Sequence, residues 1–159
     1  MRLLRPVNKH DLELIRLNRN RPEIMRWLRQ NEPLTEGQQE HWWKQEQFNG
    51  SHFHFMIDNV KGYCALRVDD RHKSAEFSII SFGNTNMGYF GLRELLSFGF
   101  GMGLNRIYSD VIAGNPALKL YNLMGFINEG TSRKAYLKEG EWKDAVSIGL
   151  LKDEYKKKS

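Results

Sequence analysis

The chain has one cysteine, Cys64, among 159 residues. A single thiol excludes an internal disulfide framework and any zinc site built from several cysteines. Long apolar runs are missing as well, and none approaches the roughly 20 residues a membrane helix requires. Behind the arginines of Met1–Val7 there is no apolar stretch. No secretory leader is therefore expected, and the expected location is the cytoplasm. No repeat, low-complexity block or Pro/Gly/Ser-rich linker divides the sequence, which predicts one domain over 1–159. Aromatic residues are plentiful at 12%, which argues against disorder. Lysine and arginine number 24 against 19 aspartates and glutamates, a net charge of +5. That mild basic bias favours a polyanionic partner (a nucleotide, CoA or nucleic acid) without choosing among them.

The hydrophobic pattern changes period along the chain. Leu3–Val7, with Pro6 inside it, reads as an edge strand. Asn8 and Asp11 open a helix whose apolar residues are Leu12, Ile15 and Leu17. Pro22 starts a second short helix, and the Thr35/Gln38 capping box starts a third over roughly 36–47. Phe53, Phe55 and Ile57 then alternate with polar or flexible neighbours. With Tyr63–Val68 and Ala75–Ser81 they predict an antiparallel meander over 52–81. A helix through Leu92–Phe100, a strand Arg106–Ile112 and a helix Pro116–Met124 capped by Gly125 follow. Two strands, Phe126–Leu137 and Trp142–Leu151, flank a Lys138–Glu141 turn. The expected fold is α/β, with a mixed, largely antiparallel sheet of six to seven strands flanked by helices.

Two stretches carry chemistry. The loop Gly83-Asn84-Thr85-Asn86-Met87-Gly88 leaves a strand and opens a helix, a place where backbone N–H groups face an anion. Downstream, Asn115-Pro116-Ala117-Leu118-Lys119-Leu120-Tyr121 opens a helix, and Gly125-Phe126 enters a strand. Together these resemble the Gcn5-related N-acetyltransferase (GNAT) superfamily, whose helix-opening Asn, following Ala and Leu-Tyr-x-x-x-Gly-Phe are matched at Asn115, Ala117 or Leu118, Leu120, Tyr121, Gly125 and Phe126. Gly103–Ile107 resembles the family's end of the cofactor helix, and Glu129-Gly130 with Asp144 is similar to the RimJ/RimL-type branch. Arg16–Ile24, with Arg19, Asn20 and Pro22, and the Glu40–His41 pair resemble acetyltransferases of nucleotide-linked amino sugars in pseudaminic acid biosynthesis, the PseH type.

The resemblance implies an acetyl-CoA-dependent N-acetyltransferase. Backbone groups of Ile79, Ile80 and Ser81 would pair with the pantetheine arm. The N–H groups of Asn84, Asn86, Met87, Gly88, Tyr89, Phe90 and Gly91 would cradle the pyrophosphate. Asn115, Ala117 and Leu120 would complete the cofactor wall, and Tyr121 would protonate the departing thiolate. Glu76 would serve as base, directly or through water. Arg19, Asn20, His41 and Trp42 would line the acceptor pocket, the arginines holding a diphosphate and Trp42 or Trp43 stacking on the acceptor. Gly83 and Asn86 depart from the family's Gln/Arg-x-x-Gly-x-Gly/Ala loop, which removes one side-chain contact to phosphate.

The expected acceptor is a nucleotide-linked amino sugar. A protein N-terminus and a polyamine are the alternatives, the arginines of 16–29 arguing against the polyamine. A basic nucleic-acid-binding module or a CoA binder without catalysis are readings from other classes. The recognised RNA-binding signatures are absent, so nucleic acid is not the expected partner. A homodimer is compatible with the resemblance. His52 and His54 share a strand face, but a pair without a third ligand reads as a polar face, and no metal is expected. Cys64 reads as core, and Lys156–Lys158 as a solvated tail.

Overall fold

The computed structural model describes residues 3–83 and 86–158, with side chains placed as far as Tyr155. Among these residues seven strands make one sheet: β1 (Leu4–Pro6), β2 (His52–Ile57), β3 (Gly62–Asp69), β4 (Ser74–Ser81), β5 (Arg106–Ile112), β6 (Ile127–Lys138) and β7 (Glu141–Leu151). Their order is β1-β2-β3-β4-β5-β7-β6. All neighbours are antiparallel except β4 and β5. Six α-helices surround the sheet: α1 (Leu12–Arg19), α2 (Pro22–Met25), α3 (Glu36–Glu46), α4 (Met87–Gly101), α5 (Ala117–Leu123) and α6 (Lys152–Lys158).

Period-2 alternation assigns the two faces. Ile57, Cys64, Leu66, Ala75 and Phe77 point to one core, shared with Leu92, Leu95 and Leu96 of α4 and with Tyr121 of α5. Met56, Tyr63, Ala65 and Ile80 point to the other, with Leu12 and Ile15 of α1 and partly buried Ile24, Leu28, Trp42 and Trp43. Glu76 and Ser78 stand at the positions between Ala75, Phe77 and Ile79. They share the face of Ile80, which is the side covered by α1–α3.

The local signals act as expected at most boundaries. The Thr35 side chain accepts from the Gln38 N–H, and the Gln38 side chain accepts from the Thr35 N–H. Asn8 and Asp11 form the same reciprocal box over a short 3-10 turn at Lys9–Asp11 that leads into α1. Gly125 takes φ +102° immediately after α5, and Glu139 and Gly140 take φ +52° and +79° in the β6–β7 turn. The chain terminus differs from expectation: 152–158 is helical, not a tail. Glu154 Oε2 accepts from the Leu151 N–H at 2.9 Å and Tyr155 packs on Phe100, so the segment has both a cap contact and a buried face. Helix α4 begins at Met87, a turn earlier than the apolar stripe suggested.

Candidate active site

The ladder between β4 and β5 is short. It consists of Ser74–Arg106, Ala75–Ile107 and Glu76–Tyr108. Beyond Glu76 the strands part: among the described residues Phe77–Ser81 pair only with β3, and Ser109–Ile112 only with β7. Parallel pairing is the weaker ladder, and here it gives way to a wedge-shaped gap with free backbone groups on both sides. Two cavities meet in this gap. One, of 290 Å³, is lined by Ile79, Ser81, Gly83, Asn86, Gly88, Tyr89, Ala117, Leu120 and Tyr121. The other, of 310 Å³, lies on the α1–α3 side and includes Arg19, Trp42, Glu76, Asn115 and again Ile79, Ser81, Ala117 and Tyr121.

Tyr121 stands where the two join. Its ring packs edge-on against Phe77, with centroids 5.3 Å apart. Its hydroxyl has no hydrogen-bond partner among the described residues. No buried side-chain oxygen or nitrogen there lacks a partner, so this hydroxyl opens into the gap. Burial of the ring pushes the phenol up to about 12, which keeps it protonated at any working pH. Asn115 Oδ1 accepts from the Ala117 N–H at 2.9 Å and shapes the start of α5. Asn86 precedes α4 with φ −68°, so the turn there does not need a left-handed residue. Among the described residues the Asn86 side chain makes no cap bond to the helix, and the first turn carries no acid, so the positive end of the helix dipole meets no negative charge of its own. Arg93, one turn further on, lies 5.4 Å from the Phe90 ring and 5.9 Å from the Tyr89 ring, close to the wall of the smaller cavity.

On the larger cavity, Glu76 is ion-paired with Arg29. Arg19 donates to Gln30 Oε1 at 3.0 Å. Burial, together with the nearby charge of Arg67, pulls its guanidinium below the usual range. Trp42 packs edge-on against His54 at 5.1 Å. The wall formed by Trp27, Leu28 and Arg29 is held from a distance. Lys138, at the end of β6, is only 5% exposed. Its ammonium donates to the carbonyls of Met25, Leu28 and Gln30 at 3.2, 2.7 and 2.6 Å.

Several expected site residues stand elsewhere. Asn20 is spent on the loop after α2: its side chain donates to the Leu34 carbonyl at 2.9 Å and accepts from the Leu34 N–H at 2.7 Å. His41 is exposed on α3 and lines neither cavity. Gly91, expected to offer its backbone N–H, packs its Cα against Ile57, where a Cβ would lie 2.6 Å from the Ile57 Cδ1. The Met87 side chain packs against the main core, and the Phe90 N–H donates to the Asn86 carbonyl at 3.2 Å within the first turn of the helix. Asn84 lies outside the described residues. Conversely, Glu23, Arg67, Tyr63 and Asp110 line the larger cavity and had no motif to announce them. Cys64 is fully buried, and burial pushes its thiol up, so it is no acyl carrier.

The family model described as acetyltransferase (GNAT) domain matches residues 2–126. The chain belongs to the GNAT acetyltransferase family. Among curated proteins, the spermidine N(1)-acetyltransferase of Vibrio cholerae is 28% identical over 173 residues, covering 98% of this chain and 96% of that one. The crystal structure of spermidine N-acetyltransferase from Vibrio cholerae in complex with CoA and spermine shares the fold with a TM-score of 0.89 at 24% identity, covering 96% of each chain. A dodecameric structure of spermidine N-acetyltransferase from the same organism aligns with a TM-score of 0.83 at 24% identity, covering 98% of this chain and 96% of that one. These relatives are spermidine acetyltransferases, whereas the Arg16–Ile24 stretch resembles acetyltransferases of amino sugars.

As a GNAT acetyltransferase the protein takes its acetyl group from acetyl-CoA. The residues present suit that donor. Among the described residues the β4 edge beyond Glu76 offers unpaired backbone groups to an amide-bearing arm, the acid-free first turn of α4 suits a pyrophosphate, and the Tyr121 hydroxyl has no other partner.

Proposed function

We propose that this acetyltransferase modifies a primary amine of a small polyamine of the spermidine class, by direct attack of the amine within a ternary complex. The observation that carries the reading is the junction of the two cavities at Tyr121. Acetyl-CoA supplies an activated acyl group on a thiol leaving group. The smaller cavity and the β4 edge at Ile79–Ser81 hold the donor, with Asn115, Ala117 and Leu120 as its wall. Asn86, Gly88 and Tyr89 border its phosphate end. Tyr121 donates the proton to the departing thiolate. Glu76, on the acceptor side, takes the proton from the attacking amine directly or through water.

The objection raised by the arginines of 16–29 weakens once their partners are known. Arg16 pairs with Glu13 at 2.6 Å, Arg21 with Glu23 at 2.6 Å, Arg26 with Glu139 at 3.6 Å, and Arg29 with Glu76. Glu23, Glu76 and Asp110 line the acceptor cavity. Glu23 and Glu76 are already ion-paired, which leaves Asp110, bonded only to the Ser147 hydroxyl, as the carboxylate there without a cationic partner among the described residues, a counter-charge for a cationic amine. The relatives named above are spermidine acetyltransferases, which supports the polyamine over a nucleotide-linked amino sugar. A second reading rests on Arg19 and Arg67, which line the same cavity without a carboxylate partner among the described residues. They favour an acceptor whose amine is accompanied by an acidic group.

Thiol release from acetyl-CoA should be followed with spermidine, spermine, N-terminal peptides and a UDP-linked 4-amino sugar. Fastest release with spermidine is expected. Release only with the amino sugar would overturn the polyamine reading in favour of the acidic acceptor, and release with none would overturn both. Copies of the chain are proposed to associate, as in the dodecameric relative. The exposed β6 edge with Ile127 and Leu137 would be available for this, and light scattering on the purified protein tests it.

A further inference from the structure

Behind the acceptor cavity, α3 ends beside the start of β2. Glu46 is the last residue of α3, and His52 and His54 lie on one face of β2. Glu46 Oε2 is 2.6 Å from His52 Nδ1 and 2.8 Å from His54 Nε2. The three donor atoms all lie within 4.8 Å of one another. The side chains are sheltered, at 13% exposure for Glu46, 23% for His52 and 6% for His54. The other nitrogen of His54, Nδ1, is 2.8 Å from the Tyr63 hydroxyl. The strand pair is visible in sequence, but the third donor comes from a helix across the 47–51 turn.

We propose that Glu46, His52 and His54 bind one divalent transition-metal ion of the zinc class, with water completing the coordination. The donor set decides the class. Two imidazole nitrogens and one carboxylate suit Zn²⁺, Co²⁺ or Ni²⁺ and disfavour Mg²⁺ and Ca²⁺, which take oxygen ligands. The geometry needs only a small adjustment. Ligands at about 2.0–2.1 Å in a tetrahedron stand roughly 3.3 Å apart, so Glu46 Oε2, at 2.6 and 2.8 Å from the two nitrogens, must draw back by about 0.7 Å from His52 and about 0.5 Å from His54. It sits on a flexible side chain at a helix terminus, which can supply that movement. The Tyr63 hydroxyl can accept as well as donate. It therefore holds a protonated Nδ1 on His54 while Nε2 turns its lone pair to the ion, the outer-shell arrangement common at metal-bound imidazoles. The same cluster touches the acceptor wall. Trp42 packs on His54, and both Trp42 and Tyr63 line the larger cavity. The ion would brace α3 against β2 and fix that wall without touching the reacting atoms. The inference does not depend on which amine is acetylated.

The test uses the full chain, dialysed against chelator and titrated calorimetrically with Zn²⁺. One ion per chain is expected. With Co²⁺ the visible absorption bands of a low-symmetry, nitrogen-containing site should appear, and Mg²⁺ should give no heat. His52→Gln keeps a hydrogen-bond donor toward Glu46 and preserves the fold, yet should weaken Zn²⁺ at least tenfold, as should His54→Gln. Replacing His10, His41 and His72 together by Ala should leave the affinity unchanged. Acetyl-CoA-induced stabilisation reports that each variant is folded. The proposal is overturned if the wild-type chain binds Zn²⁺ no more tightly than His52→Gln, or if the surface-histidine variant loses the binding instead.

Discussion

Replacing Tyr121 by Phe isolates one oxygen atom. The ring contacts survive, since Phe77 and Phe126 lie 5.3 and 6.0 Å from the Tyr121 centroid and touch only its carbon frame. The hydroxyl bonds to no described residue, so the folded state loses no partner, and stability should change by no more than about 0.5 kcal/mol. The rate should change far more. Delivery of a proton to a leaving group contributes about 10²–10⁴-fold, which is roughly 3–5 kcal/mol of barrier. If the acid acts only in the transition state, kcat and kcat/KM fall together. With the phenol pushed up to about 12, Tyr121 is protonated throughout the neutral range and contributes no basic limb to a pH–rate profile below about pH 11. Steady-state thiol release with a saturating amine gives kcat, and thermal shift with acetyl-CoA gives donor binding. A Tyr121→Phe enzyme with kcat within threefold of wild type refutes the acid role. A melting temperature several degrees lower refutes the packing argument.

Three further outcomes are expected. Lys138→Met removes a charged donor from three carbonyls and should cost about 1.5–3 kcal/mol in urea unfolding; by loosening the Met25–Gln30 segment it should raise KM for the amine while leaving acetyl-CoA affinity unchanged. Glu76→Gln should lower kcat about 100-fold, whereas Arg29→Gln, which leaves the carboxylate in place, should lower it less; equal losses would reassign Glu76 as a partner for Arg29. Because burial pushes the Cys64 thiol well up while an unfolded thiol titrates near 8.5, stability is fully present below about pH 8.5 and falls as pH rises, by up to about 1.4 kcal/mol per unit. Cys64→Ala should flatten that slope between pH 8.5 and 10, as read by unfolding at a series of pH values.

The meander, the helix starts and the Tyr121 motif were legible because each depends on neighbours in sequence: alternation over β2–β4, the Thr35–Gln38 box, the turn at Gly125. The gap between β4 and β5 was not, since nothing local says that pairing stops after Glu76. Charge was the most misleading signal. A count of arginines over 16–29 suggested an anion-binding pocket; Arg16 and Arg21 pair with the nearby Glu13 and Glu23, while Arg26 and Arg29 pair with Glu139 and Glu76, whose distance in sequence hides them from a local count. Asn20 and His41 were chosen for their nearness to a motif; one is consumed by the Leu34 backbone and the other sits on the exposed side of α3. Arg67 and Tyr63, inside a strand read as part of the meander with no site role, lie on the same face of the pleat and reach the cavity.

The three carbonyls gathered by Lys138 have a consequence for how acceptor choice can change. The ammonium is more than 100 residues from the segment it holds, at the tip of a hairpin whose neighbouring Glu139 also reaches Arg26. The hairpin tip and the cavity wall therefore behave as a single lever arm. A substitution that touches no bound molecule can widen or tilt the recess, and remodelling this enzyme toward a bulkier amine has a handle at position 138 that leaves every lining residue in place.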